Sequence, residues 1–169
     1  MTNNVGCIAR DSVVEIAGDR LFLAPDGFRP VSSTSKIGDV ELETVSKPIQ
    51  VSLVNLIKNY SADTVNSVVI RSKSQVRFFV GDSTTPQVDS YGIIGGLYDS
   101  QGSINWSFGE LNGIRAAVTE SGYIGSEEYV VHGDYDGKVY QQENGKSFAG
   151  NDIVAVYSTP YLDFGDTEV

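Results

Sequence analysis

Residues 127–161 contain three short runs of β-branched and aromatic residues that are separated by glycine turns. The pair Asp136-Gly137 can supply the backbone of a tight hairpin, because glycine has no Cβ and aspartate tolerates the left-handed region. Weaker copies of the same strand-turn-strand unit occupy residues 12–31 and 91–108. A chain that repeatedly pairs each strand with its sequence neighbour usually builds a barrel, a sandwich or a propeller. The repetition therefore predicts an all-β fold of sequential antiparallel meanders.

The composition supports this fold class. The 169 residues include 18 glycines, 9 tyrosines and 7 phenylalanines, which favour strands and turns. The length suits one ordinary domain, so we expect residues 1–169 to form a single domain of about three to four blade-like β units. Cys7 is the only cysteine, which excludes a disulfide within the chain. No apolar run reaches the roughly 18 residues of a membrane span, and no basic signal region opens the chain, so we expect a protein that is made in a cytoplasm and binds no membrane.

Residues 47–59 carry a helical pattern. We expect this helix to be capped by Ser46, to tolerate Pro48 in its first turn and to bury one face on the adjoining sheet. Its apolar residues recur at helical spacing: Ile49, Leu53, Leu56, Ile57 and Tyr60.

Four further segments complete the expected organisation. Residues 67–80 predict a hairpin that turns at Ser72 to Ser74, and residues 81–90 predict a loop. Ile114 to Thr119 and Glu128 to Gln142 predict a third β unit, and Ile153 to Tyr157 predict the start of another strand. Central strands are expected to hold four apolar side chains: Phe79, Ile94, Trp106 and Phe108.

The charge excludes an ordinary nucleic-acid binder. The chain has 22 acidic and 12 basic residues, which give a formal net charge of −10. Nucleic-acid binding needs clustered Lys and Arg side chains that neutralise phosphates. The densest basic stretch, residues 71–77, alternates with polar residues, and a solvated strand face explains it better than a phosphate track. An acidic surface does suit a channel that passes DNA without holding it.

A weak calcium site is the first chemical candidate. Aligned on an EF-hand loop, Asp134, Asp136 and Glu143 fall at the third, fifth and twelfth positions. His132 stands at the first position, where calcium prefers a carboxylate, and the flanking residues predict strands instead of helices. The Asp-Gly pair is more simply a hairpin turn.

Catalytic candidates are weaker still. His132 is the only histidine, and it could be drawn into a triad with Ser12, but the Gly-x-Ser-x-Gly turn of such enzymes is missing. The acidic pairs Glu127-Glu128 and Asp163 with Asp166 are interpreted as solvated. We therefore expect neither catalytic residues nor a cofactor.

Several of these turn and strand signals resemble the tail nozzle, or tail tubular, proteins of short-tailed bacteriophages and related prophages. The resemblance spans most of the chain. It is carried by six segments: Asp26-Gly27-Phe28, Ser46 to Ile49, Gly133 to Tyr140, Gly145 to Ile153, Thr159-Pro160 and Gly165-Asp166.

The resemblance implies a β-propeller body, a homo-oligomeric ring, contacts with other tail proteins and a passage for DNA. It also implies a place in the virion tail, with the host cytoplasm as the site of assembly. A blade takes roughly 40 residues, so this length suggests an incomplete propeller or a piece of a longer protein.

Two functional classes follow. The first is a structural tail component that acts by protein–protein assembly and binds no nucleic acid tightly. The alternative is a carbohydrate-binding or glycan-cleaving β module, in which Tyr123, Tyr135 and Tyr140 would stack on sugars beside carboxylates.

Overall fold

The computed structural model of the chain describes residues 6–34, 44–61, 64–86, 89–148 and 150–155. The helices are α1 (Val31–Thr34), a single turn, and α2 (Gln50–Asn59), which the 3-10 turn Lys47–Ile49 precedes. The strands are β1 (Val14–Ile16), β2 (Asp19–Ala24), β3 (Gly27–Pro30), β4 (Asn66–Ile70), β5 (Gln75–Val80), β6 (Tyr91–Ser100), β7 (Ser103–Asn112), β8 (Val118–Ile124), β9 (Glu127–Gly133), β10 (Val139–Gln141), β11 (Ser147–Phe148) and β12 (Asn151–Asp152).

Each strand pairs antiparallel with its neighbour in sequence. The sheets have the orders β1-β2-β3, β4-β5-β6-β7, β10-β9-β8 and β11-β12. The prediction of an all-β fold of sequential meanders with one helix near residues 47–59 is confirmed. That these meanders are blades of a propeller stays a prediction.

The four-stranded sheet is the middle layer of the molecule. Because side chains alternate across a strand, Phe78 and Phe79 on β5 face opposite sides. Phe78 lies in a core with residues of the first meander and of α2. Phe79 lies in a second, smaller core with Val130 of β9. The sheet therefore has a packing partner on each face.

The first meander delivers an aromatic side chain to the larger core. The turn at Pro25 and Asp26 leads into β3, where Phe28 is buried and stacks on Phe78 with ring centroids 4.1 Å apart. Leu53 and Leu56 of α2 are buried in the same core, which confirms the predicted apolar stripe.

The predicted cap of this helix is wrong. Ser46 makes no side-chain capping bond to the helical turn that follows it. Its hydroxyl instead accepts a hydrogen bond from the Phe28 N–H at 2.9 Å. A long-range bond to a buried strand has displaced the local one that the sequence suggests.

The hairpin between β9 and β10 is wider than the predicted tight turn. The connection runs over residues 134–138, and the Asp134 N–H donates to the Lys138 carbonyl at 2.8 Å. Gly137 has a φ of +78°, whereas Asp136 keeps an ordinary negative φ. Glycine alone therefore supplies the left-handed conformation that this turn needs.

Three other expectations need correction. The third β unit begins with β8 at Val118, and residues 114–117 are not in a strand. Residues 153–155 are not in a strand either, and the remainder of the expected tail strand lies outside the described residues. Trp106 and Phe108 lie on β7, which is an edge strand and not a central one. The predicted hairpin at residues 67–80 is confirmed as β4 and β5.

No helix in the described part of the chain combines the length and the apolar character that a membrane crossing requires.

Candidate assembly surfaces

The hairpin of β6 and β7 extends beyond the rest of its sheet. β5 pairs with β6 as far as Gln75 and Gly96, whereas β6 and β7 continue to Ser100 and Ser103. We call the projecting part, residues 97–106, the arm. Two large side chains on it are exposed to solvent: Tyr98 by 50% and Ile104 by 71%.

β7 pairs with β6 on one side, and no strand among the described residues pairs with its other side. Its core-facing side is aromatic, since Trp106 stacks on Phe108 with ring centroids 5.5 Å apart. Its one charged residue is Glu110, which accepts a hydrogen bond from the Ser52 hydroxyl of α2 at 3.2 Å. The rest of the strand carries no charge to discourage pairing with another strand.

The opposite edge of the same sheet is covered. On β4, the Val69 carbonyl accepts a hydrogen bond from the Ser121 hydroxyl at 2.6 Å. In the turn after β4, the N–H groups of Arg71 and Ser72 donate to the Glu128 carboxylate at 2.9 and 2.7 Å. The Glu128 carboxylate is partly exposed, and it also satisfies two main-chain donors, which the sequence does not predict.

The side of the β8–β10 sheet that faces away from the core is mixed, with exposed apolar residues beside the exposed carboxylates Glu120 and Glu127. We call it the outer face. Its exposed apolar residues are Val118, Ile124 and Val139, of which Val139 is 75% exposed. Val118 and Val139 lie opposite Gly133 in one cross-strand row. The adjacent exposed pair Val118 and Val139 favours contact with another protein surface, whereas Ile124 lies at the far end of β8 opposite Glu127.

A cationic side chain links β5 to the turn after β10. Arg77 is buried, and it donates to the Gln142 amide oxygen at 2.8 Å and to the Glu143 carboxylate. Lys73 also binds Glu143, and this hydrogen bond, together with Arg77, lowers the pKa of that carboxyl although partial burial opposes the shift. The interpretation of residues 71–77 as a solvated strand face is therefore wrong for Arg77.

A second ionic link fixes the turn between β9 and β10. Arg115 lies 2.7 Å from the Asp134 carboxylate and 2.6 Å from that of Asp136, and it donates to the Thr85 carbonyl at 3.2 Å. Burial raises the pKa of Asp134, but the hydrogen bonds from Arg115 and the Tyr135 N–H outweigh it and leave the pKa below its ordinary value. This link joins the loop after β5 to the last meander.

The three weak calcium candidates are thus held by different cations. Asp134 and Asp136 contact Arg115, and Glu143 contacts Arg77 and Lys73. Among the residues that the structure describes, no three His, Cys, Asp or Glu side chains form a group that could hold a metal ion.

His132 and Ser12 belong to separate hydrogen-bond networks. His132 is buried, stacks on Tyr140 at 5.1 Å and lies 3.3 Å from the Gln142 amide nitrogen. Ser12 donates to the Ala9 carbonyl and accepts from the Leu23 N–H in the first meander. Burial lowers the pKa of His132, against a smaller opposing effect of Asp134, so the imidazole is neutral near pH 7.

The three tyrosines of the carbohydrate alternative are spread along the sheet. Tyr123 pairs with Glu128, whereas Tyr140 lies opposite His132, four residues further along β9. At a rise of about 3.4 Å per residue, these rows are about 13 Å apart. The Tyr140 ring stacks on the His132 imidazole, and the Tyr135 hydroxyl donates to the Gly81 carbonyl at 3.0 Å.

A partly open depression of about 280 Å³ lies between the first meander and the base of the arm. Glu15 is its one carboxylate, so the lining lacks the carboxylate pair that glycoside cleavage uses. Its other lining residues are Ile16, Ala17, Gly18, Val69, Arg71, Ser74 and Leu97.

Sequence reasoning missed the residues that cover one edge and join the meanders. Ser121, Glu128 and Arg115 act through partners that are 19 to 57 residues away in the sequence. No local pattern signals such contacts. The exposed apolar residues Val118, Ile124 and Val139 are visible in the sequence, but their position on one face needs the register of the sheet.

Comparison with protein-family models, with curated proteins and with solved structures gives no match.

Proposed function

We propose that this chain is a structural component of a bacteriophage or prophage tail, a nozzle-like wall that acts by protein–protein assembly. The observation that carries the proposal is the contrast between the two edges of the central sheet. Side chains cover the β4 edge, whereas the ten residues of β7 end the sheet without a further strand in the described part of the chain. An open edge of this length offers main-chain hydrogen bonds to a partner strand.

The layered meanders support the same proposal. Consecutive sheets that stack face to face, as β1–β3, β4–β7 and β8–β10 do, are compatible with blades of a propeller. The outer face adds exposed apolar area at one end of this stack, and the arm adds it at the β7 side of the middle sheet. The turn and strand segments that resemble tail nozzle proteins favour a tail over other assemblies.

The charges suit a wall that lets DNA pass. The net charge of −10 repels phosphates, and several cations that could bind DNA are paired with carboxylates. The paired cations are Arg10, Arg20, Arg29, Lys73, Arg77 and Arg115. We expect no shift of double-stranded DNA in a gel at moderate salt.

Particle composition tests the proposal directly. Particles released from an induced host that carries the gene are purified, and their proteins are identified and quantified by mass spectrometry. The proposal expects this chain among the tail proteins at a fixed ratio to them. Its absence from intact particles would overturn the proposal.

A glycan array separates the alternative. The proposed function predicts no bound sugar, because Tyr123, Tyr135 and Tyr140 do not form one cleft. Micromolar binding of a defined glycan that is lost in Tyr123→Ala would instead favour a carbohydrate module.

A further inference from the structure

The direction of the main-chain groups on β7 follows from the turn that precedes it. Gln101 and Gly102 connect Ser100 to Ser103, and both turn residues have positive φ, +54° and +82°. Residues that flank a two-residue turn of this kind exchange both of their hydrogen bonds, and such pairs alternate along the hairpin. Ser103 therefore turns its N–H and carbonyl toward β6, and Ile104 turns both away.

A hydrogen bond on the other side of β6 supports this assignment. Leu97 lies opposite Trp106, and its N–H donates to the Ser74 carbonyl at 3.0 Å instead of to β7. The pair Leu97 and Trp106 is therefore not hydrogen-bonded to each other, as the alternation requires. Five residues of β7 consequently present both main-chain groups to the open side: Ile104, Trp106, Phe108, Glu110 and Asn112.

The open stretch carries none of the features that usually blunt a sheet edge. Residues 103–109, SINWSFG, contain no charge and no proline, and each pairs one-to-one with β6 without a bulge. The other strand edges in the described part of the chain are shorter or covered. β1 and β10 have three residues each, β3 has four and β8 has seven, and Ser121 and Glu128 cover the β4 edge.

We propose that β7 pairs antiparallel with β7 of a second copy of this chain, about a two-fold axis at Ser107, to form one eight-stranded sheet. The inference rests on the proposed function, since it names the partner of the open edge. In this register residues 103–111 pair with the same residues of the second copy. Trp106 then lies opposite Phe108 of the second copy, and Glu110 lies opposite Ile104 instead of a like charge.

Two observations favour a second copy as the partner. Because the β4 edge is covered, it cannot accept the β7 edge of another copy in a head-to-tail arrangement. The β7 edge therefore pairs with a second β7 edge, and the assembly closes as a two-fold dimer. The uncharged stretch 103–109 also lets two chains of net charge −10 approach where their repulsion is weakest. A partner strand of matching length is β7 itself.

Proline substitution at Ile104 tests whether the Ile104 N–H donates to a strand of a second copy. Because the Ile104 N–H points away from β6, Ile104→Pro removes no bond within the chain but blocks the added strand. Ile104→Ala is the matched control, since it removes the same exposed side chain and keeps the N–H. In sedimentation velocity over a concentration series, we expect the dimer dissociation constant to rise at least about tenfold more for proline than for alanine.

Disulfide trapping tests the register independently. The two Ser107 residues would face each other as a non-hydrogen-bonded pair, with Cα atoms about 4.5 Å apart, within the range for a disulfide. Ser107→Cys in a Cys7→Ser background should form a crosslinked dimer under mild oxidation. Asn105→Cys in the same background should not, because the two copies of residue 105 would be about 13 Å apart along the strands.

The outcomes separate this inference from the proposed function. A chain that associates equally well with proline and alanine at 104, or that crosslinks equally at 105 and 107, overturns the β7 pairing. A chain that stays monomeric and forms no crosslink also overturns it. Particle composition decides the proposed function separately, whichever of these results is obtained. Unchanged circular dichroism of Ile104→Pro shows that a lost dimer does not reflect a lost fold.

Discussion

The two faces of the central sheet are attached to their neighbours by different physical means. Among the residues that the structure describes, the face toward the first meander shares a core of 14 buried apolar residues with it and with α2. In the same part of the chain, the face toward the last meander shares a core of 5. The second attachment is completed by polar links such as Arg77 to Glu143 and Ser121 to Val69.

The central sheet is therefore held to the first meander mainly by apolar burial and to the last meander partly by polar contacts. We call the polar contacts with the last meander, such as those of Arg77 and Ser121, the polar joint. Apolar burial stabilises over a wide range of pH and salt, whereas ion pairs depend on both. The experiments that follow test this contrast, and those with the strongest predicted effect come first.

The largest loss is expected on the apolar side. Phe78 is 2% exposed and stacks on Phe28, so Phe78→Ala removes a large side chain and leaves a cavity. We expect a loss of about 3–5 kcal/mol in the free energy of unfolding, measured by urea denaturation. Tyr98→Ala, on the exposed arm, is the control and should change it little. A loss below about 1 kcal/mol for Phe78→Ala would show that this core is not the main support.

A smaller loss is expected at the polar joint. Arg77→Met keeps the apolar volume but leaves the buried Gln142 amide oxygen without its donor and Glu143 without one cation. We expect a cost of about 1–3 kcal/mol, mainly from the unsatisfied acceptor.

The matched control for Arg77 is Arg20→Met, since Arg20 pairs with Glu15 at 4.0 Å on the surface. Exposed pairs of this kind contribute about 0–1 kcal/mol. Equal losses at positions 77 and 20 would contradict the view that the joint depends on a buried cation.

These two positions also show what the sequence could predict. The hairpins and α2 follow from local signals, such as Asp26-Gly27 and the apolar spacing of Leu53 and Leu56. Arg77 and Glu143 are 66 residues apart, so their pairing has no local signal. In the sequence, each of the two residues lies among charged and polar residues, and that pattern is typical of solvated strands and turns.

The sequence also does not predict that β7 is an edge strand. Trp106 and Phe108 are typical of a central strand, because large aromatic residues fit a buried pleated surface. Their burial comes from one face of the sheet and from each other, and not from strands on both sides. The sequence predicts that the third β unit starts at Ile114 instead of Val118, because Thr119 to Gly122 of β8 lack the aliphatic alternation of a half-buried strand.

Mild acid should weaken the joint first. His132 has a pKa below its ordinary value of 6.5 in the fold, mainly because of burial. The unfolded chain therefore binds a proton more readily, and stability falls as pH drops below about 6.5. We expect the melting temperature to decrease between about pH 7 and pH 5, and less so in His132→Gln. A flat profile in the parent chain would contradict a neutral buried imidazole.

Stronger acid should then remove the ion pairs. The pKa values of Asp134 and Glu143 are lowered in the fold by their cationic partners, so their stabilisation is present above the ordinary carboxyl pKa. It is lost as pH falls below about 4 toward the folded values. The acid branch should be shallower in Arg77→Met, because one of the partners is already gone.

Calcium should have the smallest effect. Asp134 and Asp136 form ion pairs with Arg115, and Glu143 forms ion pairs with Arg77 and Lys73. A divalent ion would therefore have to displace a cationic side chain. We expect the same melting temperature in millimolar calcium and in chelator. A melting temperature that climbs steeply with calcium concentration would indicate a native-state ion site.

Native-state hydrogen exchange tests the contrast between the two faces most directly. We expect the slowest exchange for amides of β5 and β6, which lie in the middle of the sheet. Amides of β8 and β9 should exchange earlier, through local opening of the polar joint, and faster still at high salt. Equal protection of β9 and β5, with no salt dependence in either, would contradict a difference between the two faces.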